Sequence, residues 1–172
     1  MMTAADVLDL YNGLERMEIT VWLNGGWGVD ANLGNQTRPH EDLDIFVQQK
    51  DVSALREFLG GQGYKEIKLE IARPHNFVLG DVAGREVDVH VVVFEGKNAV
   101  YGPVGSAEVF PSSVFDGISN IGNQKVRCIT PDCQVKWHSG YNPRESDFKD
   151  VVALCEKFGF EYPAGYEHLK KA

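Results

Sequence analysis

The run HEDLDIFV, residues 40 to 47, alternates as a strand does, and its two faces need opposite surroundings. Leu43, Ile45 and Val47 form an apolar face that requires a core, while Asp42 and Asp44 share the other face. Two carboxylates about 4 Å apart repel by roughly 4 kcal/mol at an effective dielectric of 20. A fold that buries one side of this strand must solvate the other, keep a proton there, or supply a cation. The pattern recurs in EVDVHVVV, residues 86 to 93. There Val87, Val89, Val91 and Val93 share one face, and Glu86, Asp88 and His90 share the opposite one. If the two strands are neighbours, Asp88 approaches Asp42 and Asp44, and three carboxylates make an oxygen-rich site suited to Mg2+. Two such ions about 3.5–4 Å apart serve in-line phosphoryl or nucleotidyl transfer.

Upstream, ITVWLN (19–24) is β-branched and aromatic and reads as a strand that runs into Gly25-Gly26. The segment beyond those glycines reads as a short helix ending at Gly34. Glycines at such a junction let a ligand approach the backbone closely, and a helix N-terminus offers N–H groups to phosphate oxygens.

The rest of the chain supplies a frame. Residues 3 to 18 read as an amphipathic helix opened by a Thr3/Asp6 capping box. A polar loop, NQTRPH, precedes the acidic strand, and Asp51 is placed to cap a helix that Gly60-Gly61 stops. Residues 64–71, 76–82 and 85–94 read as strands, 95–124 as an irregular excursion, and KVRCI as a returning strand. Thr130-Pro131-Asp132 and Asn142-Pro143 start two helices, the second reaching Gly159.

Composition limits the function. The chain has 172 residues, 43% hydrophobic and 24% charged, as an ordinary globular protein does. A formal charge of −8 argues against nucleic acid held on a general basic surface, though not against one nucleotide in a local pocket. No apolar run reaches the roughly 20 residues that cross a bilayer, so no membrane partner is expected. The N-terminus lacks the uninterrupted apolar stretch of a signal peptide. Cys128, Cys133 and Cys155 are odd in number and lack zinc spacing, which suits reduced thiols in a cytoplasmic protein.

A strand, Gly-Gly, a short helix, Asp-x-Asp on a strand and a third acid on a later strand together resemble the DNA polymerase β-like nucleotidyltransferase superfamily. WLNGGWGVDANLGNQTRPHEDLDI is similar to its small antibiotic nucleotidyltransferases, the lincosamide and aminoglycoside 2''-nucleotidyltransferases. The later VDVH and HSGY…SDFKD resemble the lincosamide branch most. The spacer from Gly26 to Asp42 is longer than in many superfamily members, a length that recurs in this branch.

The resemblance implies an α+β fold, with a mixed, mostly antiparallel sheet flanked by helices. It implies a catalytic core over 1–128 and a helical C-terminal part over 129–172. Asp42 and Asp44 would hold Mg2+, two ions in all, and through it the triphosphate of ATP or another nucleotide. Asp88 would ligate metal, take the acceptor's proton, or both. Gly25 and Gly26 would approach the phosphates, with Asp30 in the matching helix. Arg38, His40 and Lys149 are candidates for phosphate contact, each against a plain surface or packing role. His90, on the face of Asp88, is a candidate to orient the base or touch the acceptor, against a structural role, and Arg73, His75 and Tyr141 are acceptor candidates. Trp137 and His138 either stack on a base or pack a helical hairpin.

The implied reaction moves a nucleoside monophosphate, AMP from ATP, onto a hydroxyl of a lincosamide or aminoglycoside. Two other readings stand beside it: an AMP-transferring antitoxin that modifies a protein, and a non-catalytic nucleotide-binding module. A homodimer also remains open.

Overall fold

The computed structural model describes residues 1–68, 73–102, 107–139 and 143–166. Thr3 and Asp6 exchange hydrogen bonds, the Thr3 N–H donating to the Asp6 carboxylate at 2.9 Å, and so cap α1 (Ala4–Arg16). Its stripe of Val7, Leu10, Tyr11 and Leu14 is buried. There follow β1 (Val21–Leu23), α2 (Gly25–Leu33), β2 (Asp42–Gln48) and α3 (Val52–Gly61). The strands β3 (Lys65–Ile67), β4 (Asn76–Gly80), β5 (Glu86–Glu95), β6 (Asn98–Tyr101), β7 (Glu108–Pro111), β8 (Gly117–Ile121) and β9 (Gln124–Cys128) come next. Two helices, α4 (Pro131–His138) and α5 (Glu145–Phe158), complete the described chain.

The strands form one sheet in the order β3-β4-β5-β2-β1-β9-β8, with β6 on the far half of β5 and β7 beside β6. The pairs β2–β5 and β1–β9 are parallel and the others antiparallel. The sheet is thus mixed and mostly antiparallel. One face packs Leu43, Ile45, Val87 and Val89 against α1 and α3, which contribute Val7, Leu14, Leu55 and Leu59. Trp22 and Phe46 on the other face meet Phe110, Phe115 and Cys133. A third cluster joins α2, α4 and α5 through Val29, Val135, Val151 and Leu154. The apolar side of the Asp-x-Asp strand therefore lies in the main core, which leaves its acids on the side that α2 and α4 border.

Several expectations change. The described residues of the span 95–124 are not irregular: they hold β6, β7, a 3-10 turn at Ser112–Phe115 and β8. Those strands are only four or five residues long, and the far end of β5 supplies the pairing that stabilises the first of them. The strand expected over 64–71 is Lys65–Ile67, and residues 69–72 lie outside the described residues. β4 stops at Gly80 because the Asp81 carboxylate accepts the N–H groups of Ala83 and Arg85, both at 2.9 Å, and bends the chain. Helix α2 begins at Gly25 itself, with the Asn24 carbonyl accepting the Gly28 N–H at 2.9 Å. Asp51 makes no side-chain cap, because a 3-10 turn at Gln49–Asp51 precedes α3. Thr130 does not cap α4 through its side chain either, although Pro131 occupies the first turn. Helix α5 starts at Glu145, later than Asn142-Pro143, where Asp147 accepts the Arg144 N–H at 2.7 Å. All three cysteines are buried and unpaired.

Candidate active site

Parallel pairing sets β2 beside β5 in a register that puts Asp44 opposite Asp88, Asp42 opposite Glu86 and Phe46 opposite His90. Side chains opposite one another on a sheet point to the same face, so the acids converge. His90 Nε2 lies 3.6 Å from Asp44 Oδ1 and 3.8 Å from Asp88 Oδ1. One ligand atom each from Asp44, Asp88 and His90 falls within 4.8 Å of the others, a spacing that fits a metal ion. From β4, Asn76 Nδ2 donates to Asp88 Oδ1 at 2.7 Å. The Tyr101 hydroxyl, on β6, lies 3.1 Å from His90 Nδ1.

The electrostatics follow from burial first and from crowded like charges second. Desolvation, with the Asp44 charge next, pushes the Asp42 carboxyl up to about 6. Asp88 is also raised, first by desolvation and against the pull of His90. Burial opposes the His90 imidazolium, yet the Asp44 and Asp88 carboxylates outweigh it and raise that pKa. Tyr101 is pushed up to about 12 by burial and by Asp88. Burial leads the shift of both acids, and the neighbouring carboxylates add to it.

Glycines make room beside this cluster. Gly25 has φ +54°, and a Cβ there would run into the Asp44 carboxylate. A Cβ on Gly26 would collide with the His40 ring and come within 3.0 Å of an Arg38 guanidinium nitrogen. The loop from α2 to β2 is held from below by Asp30, whose Oδ1 accepts from the Thr37 N–H at 3.0 Å and from Thr37 Oγ1 at 2.6 Å. The other Asp30 oxygen pairs with His40 Nε2. At the loop's tip, Arg38 makes a two-point ion pair with Asp150 of α5, at 2.8 and 3.3 Å.

These elements enclose a cavity of roughly 980 Å3. The acids and the Gly25-Gly26 turn are part of its lining. Phe46, Tyr101, Phe110 and Trp137 form an aromatic wall, the Trp137 ring centroid lying 5.3 Å from Phe46 and 5.0 Å from Phe110. Arg38, Lys136 and Arg144 bring positive charge to its lining.

Of the remaining expected site residues, some line this cavity and others lie away from it. Asp30 is 3% exposed and braces the loop behind the glycine turn. His40 lines the cavity beside Gly26, its Nε2 is spent on Asp30, and its ring lies near Trp27, with centroids 4.8 Å apart. Lys149 points to solvent, where it pairs with Glu145 at 2.7 Å, because its position on α5 lies on the exposed face. His75 stands edge-on to Tyr101 at 5.5 Å, behind the wall. Arg73 is exposed and bridges to Asn76 through the backbone. Trp137 and His138 both line the cavity, Trp137 in its aromatic wall and His138 largely buried, with Nδ1 2.9 Å from the Gln134 carbonyl oxygen. Tyr141 lies outside the described residues. Sequence reasoning missed Asn76, Tyr101, Phe110, Lys136 and Arg144. Only strand pairing and helix docking bring them to the acids, and no local spacing announces that.

The family profile of the aminoglycoside-2''-adenylyltransferases matches residues 6–154. The chain belongs to this family. As a member it is 32% identical, over 151 residues, to a lincosamide resistance protein of Staphylococcus haemolyticus, covering 86% of this chain and 89% of that protein. A 2''-aminoglycoside nucleotidyltransferase of Escherichia coli is 34% identical over 56 residues, 31% of this chain and 32% of that protein. The crystal structure of a lincosamide antibiotic adenylyltransferase, lincomycin-bound, superposes with a TM-score of 0.79 at 29% identity, covering 89% of this chain and 96% of that one. An ANT(2")-Ia structure in complex with adenylyl-2"-tobramycin has a TM-score of 0.72 at 16% identity over 91% of this chain and 89% of that one, a likeness of fold. The architecture is therefore that of the polymerase β-like nucleotidyltransferases, and this family member is an enzyme of the nucleotidyltransferase class. No helix among its described residues is long and apolar enough to cross a membrane.

Proposed function

We propose that this adenylyltransferase-family protein transfers AMP from ATP to a hydroxyl of a lincosamide antibiotic, with Mg2+ bound by Asp42, Asp44 and Asp88. The observation that carries the reading is the cross-strand register of Asp44 and Asp88 beside Gly25, whose missing Cβ opens the approach. The donor set suits hard divalent cations, because it is rich in carboxylate oxygen, and the upward shift of Asp42 and Asp88 is what a cation would relieve. When bound, two Mg2+ ions would neutralise phosphate charge and favour attack at the α-phosphorus.

This chain's residues divide the remaining work. Asp88, oriented by Asn76, accepts the proton of the acceptor hydroxyl as its oxygen bonds to the α-phosphorus. The bond from that phosphorus to the bridging oxygen breaks, and pyrophosphate leaves. Gly25 and Gly26 let the triphosphate lie against backbone, and Arg38, Lys136 and Arg144 offset its charge. Residues 1–128 thus supply the acids, and 129–172 supply part of the cation set and Trp137.

The acceptor meets the aromatic wall. A lincosamide, with one basic nitrogen and alkyl substituents, offers that wall apolar surface, whereas an aminoglycoside is a polycationic polyol. The similarity to the Staphylococcus haemolyticus protein along most of the chain supports the same choice. Three unpaired buried cysteines fit work in the cytoplasm.

Incubation of the protein with Mg2+, ATP and a lincosamide is expected to release pyrophosphate and increase the drug's mass by one adenylyl group. No product from lincosamides, with product from an aminoglycoside, would overturn the acceptor. No product from either class would overturn the reaction.

A further inference from the structure

We infer that Asp150, on the C-terminal helix, positions the donor nucleotide by aiming Arg38 at it. The inference rests on the reading above that Arg38 meets the triphosphate. Asp150 is 2% exposed and belongs to neither the acid cluster nor the cavity lining. A carboxylate so buried costs free energy unless a cation and good hydrogen bonds compensate it. Arg38 provides both, through Nε to Oδ1 at 3.3 Å and a terminal nitrogen to Oδ2 at 2.8 Å. This fork fixes the plane of the guanidinium, as a lysine at the same place would not.

The consequence is visible in the donor inventory. A guanidinium has five N–H groups. Asp150 takes two and the Pro39 carbonyl a third, at 3.4 Å, so two are left without a partner among the described residues. Arg38 lines the cavity, and one of its terminal nitrogens lies 3.0 Å from where a Cβ on Gly26 would stand. The remaining donors are thus held beside the glycine turn. One helical turn earlier, buried Asp147 binds Arg144, a second cavity-lining arginine, through Nε at 3.3 Å. Helix α5 therefore carries an aspartate against each of two cavity-lining arginines.

A double-mutant cycle tests this. Calorimetry with Mg2+ and a non-hydrolysable ATP analogue would compare wild type, Asp150→Asn, Arg38→Ala and the double variant. Arg38→Ala is expected to weaken binding roughly 10- to 50-fold and Asp150→Asn about 5- to 10-fold. The double variant should bind no more weakly than Arg38→Ala alone, and the KM for the acceptor should not move. A purely structural ion pair would lower thermal stability while leaving nucleotide affinity intact, and that result overturns the inference. Equal losses from Asp150→Asn with and without Arg38 also overturn it, because the effect then bypasses Arg38. If Arg38→Ala binds normally, the phosphate role of Arg38 fails, and the inference fails with it. Should Asp150→Asn not fold, Arg38→Lys replaces it: charge is kept but the fork is lost. A tenfold or greater loss supports the inference, and wild-type affinity overturns it.

Discussion

Asp44 and Asp88 face each other in direct register across the parallel pair β2–β5, with His90 Nε2 within 3.8 Å of both. Asp44→Asn and Asp88→Asn should each reduce AMP transfer roughly 10^3-fold, the scale of a lost base or metal ligand. Neither should lower the melting temperature in metal-free buffer, because each removes repulsion. A variant with near-normal pyrophosphate release would remove its residue from the mechanism.

The acid cluster predicts a pH dependence of stability in the absence of metal. The folded pKa of Asp42, about 6, lies above the 3.8 of a free carboxyl, so the folded state holds this proton more tightly than the unfolded chain. That advantage is present at low pH and is lost as pH rises from about 4 through 6. Asp42→Asn should therefore raise the melting temperature at pH 7.5 in EDTA, and the gain should shrink toward pH 4. Asp42 is partly solvated, so about 1 kcal/mol is expected, which corresponds to roughly 2–4 °C. Equal shifts at both pH values would exclude the charge as the cause.

Gly25→Ala should be costly twice over. Its φ of +54° strains any L-residue by about 1–2 kcal/mol, and its new methyl would displace the Asp44 carboxylate. Thermal stability and AMP transfer should both fall. Gly60→Ala is the control, because nothing lies within 4 Å of the new Cβ on helix α3. There a gain of about 0.5–1 kcal/mol is expected. Equal behaviour of the two variants in a thermal melt would refute the close approach.

Trp137 and Phe110 test the aromatic wall. Truncation of either to alanine should raise the KM for the antibiotic about tenfold and leave the KM for ATP within twofold. If the ATP constant moves instead, the wall holds the adenine and the two ligands exchange places in the cavity.

Much of this protein is legible in its sequence. The period-2 alternation of HEDLDIFV and EVDVHVVV gave two strands and put their acids on one face, because a pleated backbone leaves no other option. Thr3/Asp6 and Gly34 marked helix ends for equally local reasons, since a cap needs only its own turn. The short strands between 95 and 124 escaped because their stability comes from partners such as the far end of β5. Local sequence also could not separate the cavity-facing Arg38 from the solvent-facing Lys149. Tertiary structure decided that β5 lies beside β2, that Asn76 and Tyr101 reach the acids, and that Asp150 holds Arg38 at a sequence distance of 112 residues. The physical reason is range. Backbone sterics and side-chain period act within a few residues, whereas a site is a meeting of charges that only packing brings within a few ångströms.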